Sequence, residues 1–392
     1  MRFAEYGFSR QFSAKLALLW LGVLLSGCGP SFDPEDQLRT LRVLGVQKDQ
    51  PYVKPGDSVN LTMLWEDASP SAGRPIQIAW SGLCVDPPGD LYYGCFAQPA
   101  VFQGLSFNPS TMPGADKTSV MMPTTYTDSK GNSAPVIRPT AAENNTPYGI
   151  GYVFFAVCAG TISIDPSLVQ TSAANGSASA SPALPIVCKD DAGKLLDSDS
   201  FVAGYTTIYA YDMFANNNPA ISGFEFNGQA LPKGSFCVGP ATDATMPDDC
   251  ASLAESPIGD SLPPDTTAID CTTTPPDPRC IPTCADDGKS SCHGYAIRPT
   301  VDKTDFRNQD QDGVSVMQLG HAVGEQMWID FYSDGGGFKS PTRLLNDATN
   351  GWNDDYGTDF YAAKDAKISR VWALVHDNRG GVSWAGIELK TQ

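Results

Sequence analysis

Apolar and polar residues alternate with a period of two over long stretches of this chain. Val59, Leu61, Met63 and Trp65 share one face of 58–65, with Asn60 and Thr62 opposite. Met327, Ile329 and Phe331 do the same in 326–332, against Trp328, Asp330 and Tyr332. That is the pattern of a half-buried strand. Two other segments, 152–160 and 370–380, are apolar almost throughout, which suits central strands covered on both faces. Strands are also expected at 205–211 and 382–389, the latter after a hairpin turn at Asn378-Arg379-Gly380-Gly381. Gly386 breaks the alternation between Trp384 and Ile387 and predicts a bulge.

These strands recur in the same order. Segment 56–63 corresponds to 324–331, and 152–160 to 370–380; the openings 41–46 and 221–226 pair more loosely. The expected fold is therefore all-β, with one β-sandwich over 38–213 and a second over 214–392. The arrangement is similar to the immunoglobulin-like or fibronectin-type modules of bacterial surface lipoproteins, with Trp80 as a core tryptophan on a third strand. It departs from the antibody pattern because 58–65 carries no cysteine. The resemblance implies architecture and carries no function with it. Long loops interrupt the strands: 107–146, with a short strand candidate at 119–122; the low-complexity stretch 171–182; and a Cys-rich insertion at about 232–292. A disulfide-pinned loop there is where a recognition surface is expected.

The N-terminus changes the picture. Arg2, Arg10 and Lys15 precede an apolar run at 16–25, too short to span a bilayer as a helix, which takes about 20 residues. Leu25-Ser26-Gly27-Cys28 follows, so 1–27 reads as a secretory signal. The tetrapeptide resembles the lipobox of bacterial lipoproteins. That resemblance implies cleavage before Cys28, acyl chains on its thiol and new N-terminus, and a tether over 28–37. More than one chain makes membrane anchoring stable, at about 0.8 kcal/mol per buried methylene. Gly29, where retention at the inner membrane takes Asp in the best-known sorting system, favours the outer membrane.

Of the eleven cysteines, Cys28 is assigned to lipid. The other ten are Cys84, Cys95, Cys158, Cys188, Cys237, Cys250, Cys271, Cys280, Cys284 and Cys292. An even count in an exported chain reads as up to five disulfides of unassigned connectivity. The rival reading is a zinc site, since Cys280-x3-Cys284 and Cys292-His293 loosely resemble ligand spacing.

The formal charge of −18 becomes −20 once the signal's three basic and one acidic side chains are removed. Such a chain repels phosphate backbones, which argues against nucleic acid as a partner. Candidate chemistry is sparse. Gly259-Asp260-Ser261-Leu262 resembles the nucleophile block of GDSL esterases, but no downstream Asp-x-x-His exists and prolines crowd the block. The three histidines, His293, His321 and His376, form no HExxH. His376 is expected at a strand end as a satisfied edge residue, and His321 in a loop. The strongest ion signal is Asn308-x-Asp310-x-Asp312-Gly313, the first half of a calcium loop, although Leu319 stands where the closing Glu belongs. A second acidic loop runs from Asp347 to Asp359.

The expectation is a non-enzymatic, lipid-anchored envelope protein without a catalytic cofactor, held to the membrane by lipid and binding or scaffolding an envelope protein or glycan. The alternatives are an adhesin-like module stiffened by structural calcium at Asn308, Asp310 and Asp312, and a hydrolase with an unrecognised site.

Overall fold

The computed structural model describes residues 34–70, 72–86, 95, 110, 114–127, 131–137, 147–165, 185–239, 250, 269–286, 288–303, 324–365 and 367–392. Among these, every regular element is a strand. The signal, Cys28, the calcium half-loop at Asn308, Asp310 and Asp312, the GDSL block, His321 and the stretch 171–182 lie outside the described residues.

The first group of strands is β1 (Leu41–Lys48), β2 (Tyr52–Val53), β3 (Ser58–Asp67), β4 (Gln77–Trp80), β5 (Cys84–Asp86) and β6 (Lys117–Met121). It continues with β7 (Thr125–Thr127), β8 (Ser133–Pro135), β9 (Gly149–Cys158), β10 (Thr161–Ile164), β11 (Ile186–Lys189) and β12 (Phe201–Ala210). The second group opens with β13 (Ile221–Phe226), β14 (Gln229–Ala230), β15 (Phe236–Gly239), β16 (Cys280–Ile281), β17 (Gly294–Val301) and β18 (Met327–Ser333). It closes with β19 (Gly337–Phe338), β20 (Thr342–Asp347), β21 (Gly351–Trp352), β22 (Thr358–Tyr361), β23 (Ile368–Asp377) and β24 (Val382–Thr391).

No ladder joins the two groups among the described residues. In the first, β1-β3-β6 faces β2-β12-β9-β4, with β5 also on β9. Val59, Leu61 and Met63 meet Ile78, Trp80, Val153, Phe155, Val157 and Ile208 in their shared core. In the second, β14-β13-β17-β22-β19 packs on β15-β24-β23-β18-β20-β21, with β16 beside β24. Phe224, Phe226, Ile297 and Phe360 meet Ile329, Phe331, Val371 and Ile387 there. The alternation read in 326–332 is realised: Met327, Ile329 and Phe331 are buried and the residues between them half-buried.

The two groups are not copies of one pairing pattern. β18 pairs directly with β23, whereas β3 sits in a different sheet from β9. The correspondence survives in the antiparallel pairs β9–β12 and β23–β24.

The continuous apolar run of β23 has a specific cause. Val371, Ala373 and Val375 face the second core, while Trp372 and Leu374 enter a third cluster with Leu38, Leu64, Trp384 and the Cys237–Cys250 pair. That cluster joins the two groups, and Asp36–Gln392 form one unit. Beside it Arg370 Nη1 lies 3.0 Å from Glu66 Oε1. At the other end of the joint Gln47 Nε2 donates to Val382 O at 2.7 Å, and Asn216 Nδ2 donates to Asp377 Oδ2 at 2.9 Å.

Gly386 does not form the expected bulge. The β23–β24 register runs uninterrupted through Trp372↔Gly386, and a Cβ at Gly386 would lie 2.5 Å from Trp372 Cζ3. Glycine is there to admit the indole. Register shifts fall instead at Val43/Gly45 and Ile221/Gly223, in the opening strand of each group, and at Met327/Trp328 where β18 meets β20. The hairpin at 378–381 stands as read: Asp377 Oδ1 accepts from Arg379 N at 2.8 Å and Gly381 N at 2.7 Å, and Gly380 takes φ of 87°.

Candidate functional site: a tyrosine-lined sheet end and a charged groove

β12 sends Thr206, Ile208 and Ala210 into the core, so Tyr205, Thr207 and Tyr209 face outward with the period of a strand. The neighbouring strands extend that face: Tyr209 stands opposite Tyr52 on β2 and Ile150 on β9. The rings gather at the end of β12. Tyr52 lies 4.6 Å from Tyr211 and 6.2 Å from Tyr209, centroid to centroid. Tyr148 lies 5.9 Å from Tyr211, and Phe214 extends the group at 5.6 Å. Tyr205 is 45% exposed and Met213 82%. Burial, then the nearby Tyr148, hold the Tyr209 hydroxyl above the ordinary phenol range.

The other end of the same face is covered by the protein itself. The antiparallel β10–β11 pair lays Ile162 and Ile186 over Ala79 and Ala156, pinned by Cys158–Cys188. The tyrosine end has no such lid among the described residues. It lies at the end of β12 remote from the start of β1. Leu41 N donates to Asp199 O beside the start of β12, while Lys48 Nζ donates to Thr207 O near its end at 3.3 Å. The eight residue steps from Asp199 to Thr207 span about 26 Å, at about 3.3 Å per residue.

A second feature is a groove of about 370 Å³ across the outer face of β13, β17 and β22. Its walls are ion pairs. Arg298 Nη2 lies 2.6 Å from Glu225 Oε2, Lys339 Nζ 3.1 Å from Asp359 Oδ2, and Arg343 Nη2 3.1 Å from Asp355 Oδ2. At its rim Lys303 Nζ pairs with Asp354 at 2.5 Å and stands 5.1 Å from the Trp352 ring centre. The acidic loop from Asp347 to Asp359 is thus engaged by lysine and arginine. Asp347 Oδ1 closes a turn by accepting from Thr349 N and Asn350 N at 2.8 and 2.7 Å. Those amides hold Asp347 below its ordinary range, and the Lys303 hydrogen bond does the same for Asp354. Among the described residues no group of three His, Cys, Asp or Glu side chains converges as a metal site.

The ten candidate cysteines form five bridges, each between neighbours in sequence: Cys84–Cys95, Cys158–Cys188, Cys237–Cys250, Cys271–Cys280 and Cys284–Cys292. Cys280 and Cys284 belong to different bridges, so the zinc alternative fails for want of free thiolates. His293 meets Tyr295 edge-on. His376 stacks on Trp328 at 5.3 Å and lies 3.5 Å from Asp330; burial lowers its pKa. It is not an edge residue, because β23 lies between β18 and β24.

The tyrosine end was missed in the sequence. Its local signal, tyrosine at 205, 209 and 211, is legible as one strand face, but Tyr52 and Tyr148 arrive from distant segments.

No protein-family model matches the chain, and no curated protein matches it. Among solved structures it is similar to dimeric latent PorU from Porphyromonas gingivalis, at 10% identity and TM-score 0.18, over 91% of this chain and 24% of that one. It is likewise similar to Salmonella alpha-2-macroglobulin reacted with methylamine, at 10% identity and TM-score 0.18, over 92% of this chain and 17% of that one. The chain thus spans less than a quarter of the length of either, and at such scores neither likeness assigns a fold or a role.

Proposed function

We propose that this chain is a lipid-anchored cell-envelope protein that binds or scaffolds a partner and does not turn over a substrate. The observation that carries the reading is the tyrosine end of β12, where Tyr52, Tyr148, Tyr209 and Tyr211 gather on an outer sheet face. Tyrosine supplies large, stiff, amphipathic contact area at low entropic cost, and for that reason it dominates binding surfaces. Five bridges suit an oxidising compartment outside the cytoplasm. Acylation of Cys28, an outer-membrane address and an immunoglobulin-like character for the two sheet pairs belong to the same reading. The partner is an envelope protein or glycan; a net charge of −18 disfavours nucleic acid.

The test is photo-cross-linking in intact cells from benzoylphenylalanine placed at Tyr211, with Leu195 as the control position, followed by mass spectrometry of adducts. One dominant adduct from position 211, missing from position 195, supports the reading. No adduct, or the same adduct from both positions, overturns it. In parallel, Cys28→Ser should release the chain from the membrane fraction; retention there would refute lipid anchoring.

A further inference from the structure

The charged groove of the second strand group owes its depth to sheet register. Glu225 of β13 stands opposite Arg298 of β17, and Ala296, two residues earlier, stands opposite Asp359 of β22. All four point away from the core, because their neighbours Phe226, Ile297 and Phe360 are buried. Lys339, just after β19, pairs with Asp359. Gly357 flanks Arg298 on the other side: a Cβ there would lie 3.4 Å from Arg298 Cβ and 3.0 Å from the Ile297 carbonyl oxygen. Charged pairs therefore fill two diagonal corners of the sheet face, and Ala296 and Gly357 keep the floor between them low. One strand across and two residues along, the Arg298 and Asp359 backbones stand about 8 Å apart.

Each corner keeps an unengaged atom. Arg298 directs both Nε and Nη2 to one oxygen, Glu225 Oε2, and its guanidinium lies 5.3 Å from the Tyr356 ring centre. The fork is thus held in place, with Nη1 unbonded among the described residues. Asp359 receives Lys339 on Oδ2 and keeps Oδ1. Arg343 is matched by Asp355, and Lys303 at the rim takes up Asp354, so the groove is charge-balanced within a chain of net charge −18. A ligand of one sign would meet a repelling group beside every attracting one. We infer that the groove binds a short amphoteric peptide, its carboxylate on the open end of the Arg298 fork and its ammonium on Asp359. Fork and carboxylate match in shape as well as charge. The separation of about 8 Å suits two to three extended residues, at about 3.3–3.6 Å each. A volume of about 370 Å³ falls within the range of small-ligand sites, about 300–1,000 Å³. The ion pairs already present are exposed ones of little energy, so they can adjust around a ligand at little cost. The site is separate from the tyrosine end and independent of what binds there.

Trialanine with free termini is the probe, added to the full chain and followed by ligand-observed NMR at low salt, where charge pairing is least screened. It should bind with a Kd in the millimolar range. N-acetylation, which removes the ammonium, and C-terminal amidation, which removes the carboxylate, should each weaken binding about tenfold through the loss of charge-assisted hydrogen bonds. Arg298→Gln should abolish the preference for the free carboxylate and keep the preference for the free ammonium; Asp359→Asn should do the reverse. A merely structural role would not produce that crossed pattern. Should one variant fail to fold, the other carries the test, since each predicts the loss of one named preference. No binding at about 10 mM trialanine, equal binding of the free and capped peptides, or a folded variant that keeps both preferences would overturn the site.

Discussion

Gly386→Ala tests whether the joint is packed against Trp372 or whether glycine is incidental to β24. The added methyl would lie 2.5 and 2.8 Å from two carbons of the indole and 3.0 Å from Cys237 Sγ, where carbon contacts settle at about 3.5–4.0 Å. The ring has little room to yield. Trp372 is fully buried, and swinging it strips its N–H from Glu66, a hydrogen bond to a carboxylate of the kind that contributes about 1.5–3 kcal/mol. The backbone is restrained too, since β24 pairs with both β15 and β23. Overpacking of this kind costs about 1–3 kcal/mol. The entropic gain of alanine over glycine offsets about 0.5–1 kcal/mol. A net loss of about 1 kcal/mol is expected, read as a lower urea midpoint at unchanged slope. In a Trp372→Leu background the obstacle is gone, and the same methyl should cost under about 0.5 kcal/mol. Equal costs in the two backgrounds, or a negligible cost in the native one, would refute the packing argument.

Three further outcomes follow from the geometry. Replacing Cys158 and Cys188 by alanine opens a loop closed over a sequence separation of 30; the chain-entropy model gives a loss of about 3.6 kcal/mol, and an unchanged urea midpoint would contradict it. Lys48 is buried, and that burial, opposed by Asp377, lowers its pKa from 10.5 to about 8. Its folded pKa lies below the unfolded one, so stability should rise with pH between about 8 and 10.5, by about 3 kcal/mol, and Lys48→Met should remove that rise. Lys303→Ala removes an exposed ion pair and should leave the denaturation midpoint unmoved; a clear shift would mean the groove rim is structural.

The sequence by itself determined the all-β class and the main strands, because a period of two in apolar side chains has one structural meaning. Val59-Leu61-Met63 and Met327-Ile329-Phe331 were legible on that ground, as was the hairpin at Asn378–Gly381 from its turn chemistry. The even set of ten cysteines was legible as bridges, though not their pairing, which depends on which loop ends meet. Tertiary structure decided the rest. The apolar run of 370–380 looks alike whether its second face meets another sheet or a helix, and only the fold brings Leu64 and Trp384 against Trp372. Gly386 looked like a bulge because its reason is an indole on the adjacent strand. Glu66, Arg370 and Glu388 are single charges in separate apolar strands, and no local pattern tells a buried charge from a solvated one. Tyr52, Tyr148 and Tyr211 become one surface only when β2, β9 and β12 align, since side chains remote in sequence meet through sheet register alone.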